Sequence, residues 1–173
     1  GGARGGEVSA GAAEGHRDRG GVGAVDGPCG LVGGGSGGFG WFGFNAGAGL
    51  AANGRAALAF ATTNTASASA MLGWMFFDWM RGHKPSALGG CIGAVVGLVA
   101  ITPAAGFVTV RESVVIGLVA SVISNLAVHL RTKSTLDDTL DVFTCHGVGG
   151  MVGILVTGVV AKDAGLTSGG PKV

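Results

Sequence analysis

Two ionisable side chains, Asp141 and His146, stand in an otherwise apolar stretch near the end of this chain. Residues 139–161 read Thr-Leu-Asp-Val-Phe-Thr-Cys-His-Gly-Val-Gly-Gly-Met-Val-Gly-Ile-Leu-Val-Thr-Gly-Val-Val-Ala. At about 1.5 Å of rise per residue, this is a helix long enough to cross a bilayer core of roughly 30 Å. An ionisable group at that depth is costly and normally faces a cavity or a partner rather than lipid. His146 is therefore either a packing histidine satisfied by a neighbouring helix or a hydrogen-bonding group on a passage. A neutral imidazole offers one donor and one acceptor, which suits a pore group or a proton relay. Asp141 lies at the start of the helix, where a carboxylate caps free N–H groups and meets the positive end of the dipole. Acid–base catalysis by the two is disfavoured, because five positions along a helix place them on different faces and no nucleophile accompanies them. Cys145 beside His146 suggests a metal pair, but adjacent helix positions diverge by about 100°. No metal or cofactor is expected.

The elements that must position these groups follow from composition. The 173 residues are 47% hydrophobic and only 12% charged, about half the charged share of a soluble domain. Mean hydropathy is +0.54. A net charge of +1 supplies no basic face for nucleic acid. Cys29, Cys91 and Cys145 have neither metal nor redox spacing and imply no disulfide framework.

Residues 1–38 differ from the rest. Glycine dominates, charges are scattered (Arg4, Glu7, Glu14, Arg17, Asp18, Arg19, Asp26), and large apolar side chains are almost absent before Leu31. Such a composition does not offset the entropy of ordering, so disorder is expected up to about Gly38. The segment is read as a flexible extension or as the product of a frame error. It lacks the apolar core of a signal peptide. Gly1 stands where an initiator methionine is expected, which suggests a fragment.

From Phe39 the chain reads as membrane-length segments, giving a membrane domain over 39–162 and a polar tail over 163–173. Residues 39–52 are apolar but shorter than the roughly 20 needed to span, and Asn53-Gly54 marks a turn. Residues 56–79 form the next span, with Thr62, Thr63, Asn64, Thr65, Ser67 and Ser69 as hydrogen-bonding glue between helices. Its end, Trp74-Met75-Phe76-Phe77-Asp78-Trp79, reads as an aromatic anchor at the interface. A third span runs from Ser86 to about Val110, interrupted at Thr102-Pro103, where proline removes a backbone donor. Arg111-Glu112 is read as a loop before a fourth span at 113–130, and a charged loop follows to Asp138. The fold class is thus all-α, a polytopic membrane protein with about five transmembrane helices. Arg81, Lys84, Arg131 and Lys133 outnumber Arg55, Arg111 and Lys162 in alternate loops, which places the first set in the cytoplasm.

Four ordered motifs carry a resemblance. They are Gly40-Trp41-Phe42-Gly43-Phe44-Asn45-Ala46-Gly47; Ala57-Leu58-Ala59-Phe60 with Thr63-Asn64-Thr65; Gly89-Gly90-Cys91-Ile92-Gly93 to Thr102-Pro103-Ala104; and Asp141-Val142-Phe143-Thr144-Cys145-His146-Gly147-Val148-Gly149-Gly150. Together they closely resemble the ammonium transporter family over residues 39–161. The resemblance implies helices six to ten of an eleven-helix fold built from two inverted repeats, assembled as homotrimers with one pore per subunit. It implies a cell-membrane location and ammonium or ammonia as the partner, alongside the lipid bilayer. By resemblance, His146 matches one of two pore histidines, Phe44 a phenylalanine at the outer gate, Trp41 a tryptophan near the pore, and Thr102 a pore-proximal threonine on the broken helix. Asp141 keeps a structural, capping role. The family often has a serine after Asn-Ala-Gly that binds the ammonium ion, where this chain has Ala48. Three functions are weighed: ammonium/ammonia transport, a non-conducting membrane subunit or remnant, and a membrane enzyme. Transport is the reading adopted; an enzyme is not.

Overall fold

The computed structural model describes residues 26–133 and 141–161. Among them it contains five helices and no strand: α1, Asp26–Gly47; α2, Gly54–Met80; α3, Ala87–Ile101; α4, Val110–Arg131; and α5, Phe143–Val160, whose first part, Phe143–Val148, is a π-helical turn. By length and composition, α4 and α5 can each cross a membrane. The disorder expected of residues 1–25, the acidic loop residues Asp137 and Asp138, and the polar tail 163–173 lie outside the described residues.

Helix α1 corrects the reading of its own sequence. It is a 22-residue helix running straight through Gly38, where disorder was expected to end and a short span to begin. Its glycines explain how so little side chain forms a packed helix. Gly30, Gly34 and Gly38 recur every fourth residue and lay a bare backbone stripe on α3. A Cβ on Gly30 would come within 3.3 Å of Leu88, and one on Gly34 within 3.6 Å of Cys91. Pro28 falls in the first turn, where no N–H is required.

Asn53 does more than turn the chain. Its side chain accepts a hydrogen bond from the Ala56 amide at 3.0 Å and caps α2. Ser86 caps α3 in the same way, accepting from Gly89 N at 3.0 Å. The third span is shorter than expected and stops at Ile101, because Pro103 cannot continue the backbone ladder. The amides of Ala104 and Ala105 both reach back to the Ile101 carbonyl at 2.8 Å. Gly106, at φ +80°, then supplies the left-handed residue that reverses the chain. With 15 residues, α3 is about 22 Å long and too short to span alone. Arg111 and Glu112 are the first turn of α4 rather than a loop. Thr109 and Glu112 form a reciprocal capping box, with Thr109 N donating to Glu112 Oε2 at 2.6 Å.

Helix α2 is the centre of the bundle and packs most extensively on α3 and α4. Small residues set these approaches. A Cβ on either Gly97 of α3 or Gly117 of α4 would fall within 3.0 Å of the Ala66 carbonyl of α2, and one on Gly153 of α5 equally close to Ala100 of α3. Around these crossings lie Ala66, Trp74, Val96, Ile101, Ile116 and Ala120. The polar stripe of α2 mostly serves its own helix: the Thr62, Thr65 and Ser69 hydroxyls donate to carbonyls three or four residues back. Ser67, which donates to Ala94 O of α3, and Thr63, which accepts from Asn45 of α1, are the interhelical members. The aromatic end of α2 also divides: Trp74 is buried in the core, whereas Phe76 and Trp79 face outward together with ring centroids 5.7 Å apart.

Candidate functional site

His146 lies in the π-helical turn that opens α5. Such turns insert an extra residue into the helical register and are frequent at functional sites. The flanking residues point inward, with Thr144 and Cys145 buried, while His146 is turned out to the exposed edge of the bundle. Cys145 and His146 thus face different environments and do not form a convergent pair.

Three of the four residues expected on a substrate path meet here, from three separate elements. The Trp41 ring of α1 stacks on the His146 imidazole, with centroids 6.4 Å apart and planes at 26°. Trp41 Nε1 donates to Thr102 Oγ1 at 2.8 Å, and that hydroxyl donates in turn to Leu98 O, also at 2.8 Å. Thr102 uses both capacities of its hydroxyl, so the indole is held by its polar edge while its face meets the imidazole. The break after Ile101 makes this possible, since it leaves Thr102 at the end of α3.

Phe44 is placed differently. It lies one turn beyond Trp41, is 66% exposed, and joins none of the ring stacks found among the described residues. Its neighbour Phe42 stacks on Phe60 of α2 at 4.6 Å, a pair that periodicity and motif did not single out. Asn45 is buried and donates to Thr63 Oγ1 at 3.0 Å. Below it, a cavity of about 220 Å³ is lined by Asn45, Ala48, Asn53, Arg55, Ala59 and Phe107 among others. The Arg55 guanidinium lies 5.0 Å from the centre of the Phe107 ring at this end. Ala48 turns a methyl rather than a hydroxyl toward this space.

The opposite end holds polar groups that sequence reasoning missed. Asp78 and Asn125 are buried, and Asn125 Nδ2 donates to Asp78 Oδ1 at 2.8 Å. Arg81 reaches Asn125 Oδ1 at 3.4 Å. Asp141, only 1% exposed, meets α5 through its carbonyl, which accepts from Cys145 N at 2.9 Å and Thr144 Oγ1 at 3.0 Å. Its carboxylate forms an ion pair with Arg131, the last residue of α4.

A family model described as the Ammonium Transporter Family matches residues 27–171. The chain belongs to the ammonium transporter family. The matched range extends beyond both ends of the 39–161 region that carries the motifs. Among curated relatives, the chain is 47% identical over 140 residues to the ammonium transporter Amt1 of Archaeoglobus fulgidus, covering 78% of this chain and 36% of that one. It is 50% identical over 140 residues to an ammonium transporter of Aquifex aeolicus, covering 78% and 33%. Among solved structures, Mep2 of Candida albicans superposes with a TM-score of 0.70 at 48% identity, over 73% of this chain and 28% of that one. The chain therefore spans about a third of the length of the family members it matches. Its helices have the family's membrane fold over that part.

Proposed function

We propose that this chain builds part of the wall of an ammonium/ammonia path across a cell membrane. The observation that carries this reading is the Trp41–His146 stack, fixed by the Trp41–Thr102 hydrogen bond. An aromatic face attracts a small cation by roughly 0.5–2 kcal/mol, depending on desolvation. Trp41 and Phe44 supply such faces on successive turns of α1. Aromatic attraction alone separates ammonium poorly from potassium, so selectivity must use something that potassium lacks. Ammonium carries N–H donors and can lose a proton. An imidazole, when neutral, can accept from an N–H or donate to the ammonia lone pair, which suits His146 to a passage that is otherwise apolar. Transport, not enzymatic turnover, is what this arrangement serves.

By membership of the family, the assembled state is read as a homotrimer in the lipid bilayer, and the loop count of lysine and arginine turns the Arg81 and Arg131 end toward the cytoplasm. Ala48, in place of a hydroxyl-bearing residue, weakens recruitment at the mouth of the cavity. The test is uptake of labelled methylammonium in a host lacking its own ammonium transporters. The host would carry this chain, alone and together with the coding sequence that flanks it in its gene. Saturable uptake that ammonium competes away is expected. Uptake in neither form above that of the empty host would overturn the reading.

A further inference from the structure

The direction in which His146 points is decided at the start of α5, and three features converge there. Asp141 has φ +52°, a left-handed backbone conformation that non-glycine residues adopt reluctantly, although aspartate tolerates it better than most. Its peptide carbonyl, just ahead of the π-helical turn at Phe143–Val148, accepts hydrogen bonds from two residues of that turn, Cys145 N and Thr144 Oγ1. Its carboxylate is buried and ion-paired with Arg131, whose own side chain is largely covered. A single residue is thus bound through its backbone to the turn carrying His146 and through its side chain to the end of α4.

This matters because the turn is a register device. Residues advance by about 100° each in an α-helix. A π-helical turn holds one extra residue, and its relaxation to regular helix would rotate everything on one side of it by roughly that angle. Gly149 and Gly153 are held against α4 and α3, where a Cβ on Gly153 would collide with the Ala100 backbone. That part of α5 cannot rotate. The rotation would therefore fall on the turn itself and carry the His146 ring off the face of Trp41.

We infer that Arg131 and Asp141 are a pair of positioning residues. Their ion pair pins the peptide that leads into α5 and so holds the π-helical register that aims His146 at Trp41. The functional consequence rests on the proposed role of His146, but the geometric one does not. Removing one partner deprives a buried charge of this counter-charge, which the chain relieves by moving the start of the helix.

The experiment uses Trp41 as the reporter, in the full chain with Trp74→Phe and Trp79→Phe. A protonated imidazole beside an indole quenches its emission, so the spectra are taken at a pH below the ordinary histidine range, and His146→Ala sets the unquenched level. Arg131→Gln and Asp141→Asn, which keep size and polarity but remove charge, are each expected to raise Trp41 emission toward that level. Helix content by circular dichroism should stay unchanged. Arg131→Lys, which keeps the charge, should restore the quenched state. Quenched emission in both charge-removing variants would overturn the pairing. So would equal dequenching by Arg131→Lys, since a general packing role would not distinguish the two substitutions. Methylammonium uptake separates this from the function. If His146→Ala retains uptake while Arg131→Gln still dequenches Trp41, the pore reading fails and the positioning stands. If His146→Ala loses uptake while Arg131→Gln alters neither signal, the positioning fails and the pore reading stands.

Discussion

Trp41 is constrained at two of its surfaces, by a hydrogen bond on its indole nitrogen and by the His146 ring on its face. The hydroxyl of Thr102 is the hinge of that arrangement, because it accepts from Trp41 while donating to Leu98 O. Thr102→Val keeps the branched shape and deletes both bonds, leaving the indole N–H to find another acceptor. A net hydrogen bond is worth about 1 kcal/mol. The substitution should lower the detergent melting temperature slightly and reduce uptake at limiting methylammonium far more than it reduces expression. Wild-type uptake in this variant would show that Trp41 needs no anchor. The residue types at this site were legible in the sequence, since a histidine inside an apolar helix advertises itself. The stack was not, because it depends on how α1, α3 and α5 cross.

At the level of elements, close approach is governed by glycine, and position decides whether a glycine matters. Gly117 faces the Ala66 carbonyl and the Ser69 hydroxyl of α2 at distances that exclude a methyl group, whereas Gly35 of α1 has nothing within 4 Å of its would-be Cβ. Gly117→Ala should therefore destabilise by about 1–3 kcal/mol through overpacking. Gly35→Ala should be neutral or stabilise by roughly 0.5–1 kcal/mol through helix propensity. Thermal unfolding of the two variants in one detergent checks the pair, and equal shifts would contradict the packing of α4 against α2. The same glycines explain where sequence reasoning failed. In residues 26–38 their abundance looked like a chain unable to order, yet Gly30, Gly34 and Gly38 fall on one face and meet α3. The Thr109-x-x-Glu112 cap was readable, but its neighbouring charges suggested a loop. The π-helical turn left no trace in periodicity, because one added residue per turn is invisible in a short apolar run.

Among the described residues, charged groups cluster at the two ends of the bundle, and small residues, apolar or hydroxyl-bearing, fill the helix crossings between them. One end holds the Asp78–Asn125–Arg81 cluster and the Arg131–Asp141 pair; the other holds Arg55 over Phe107 and the cavity beneath Asn45. Between them, α2 is clasped by α3 and α4, and α5 closes on α3 through Gly153. The number of helices and their approximate places were legible from hydropathy. The buried polar ties were not, because Asp78 reads as part of the interfacial end of its span until α2 and α4 are laid side by side and Asn125 meets it.

His146, the histidine of α5 turned outward at the Trp41 stack, carries the most weight in the proposed path. Its direct test is methylammonium uptake by His146→Ala beside the parent chain, at matched expression and in the same transporter-deficient host. Loss of uptake, with folding retained by circular dichroism, is the predicted result. Uptake equal to that of the parent would mean that the imidazole only packs against Trp41, and the proposed path would have to lie elsewhere.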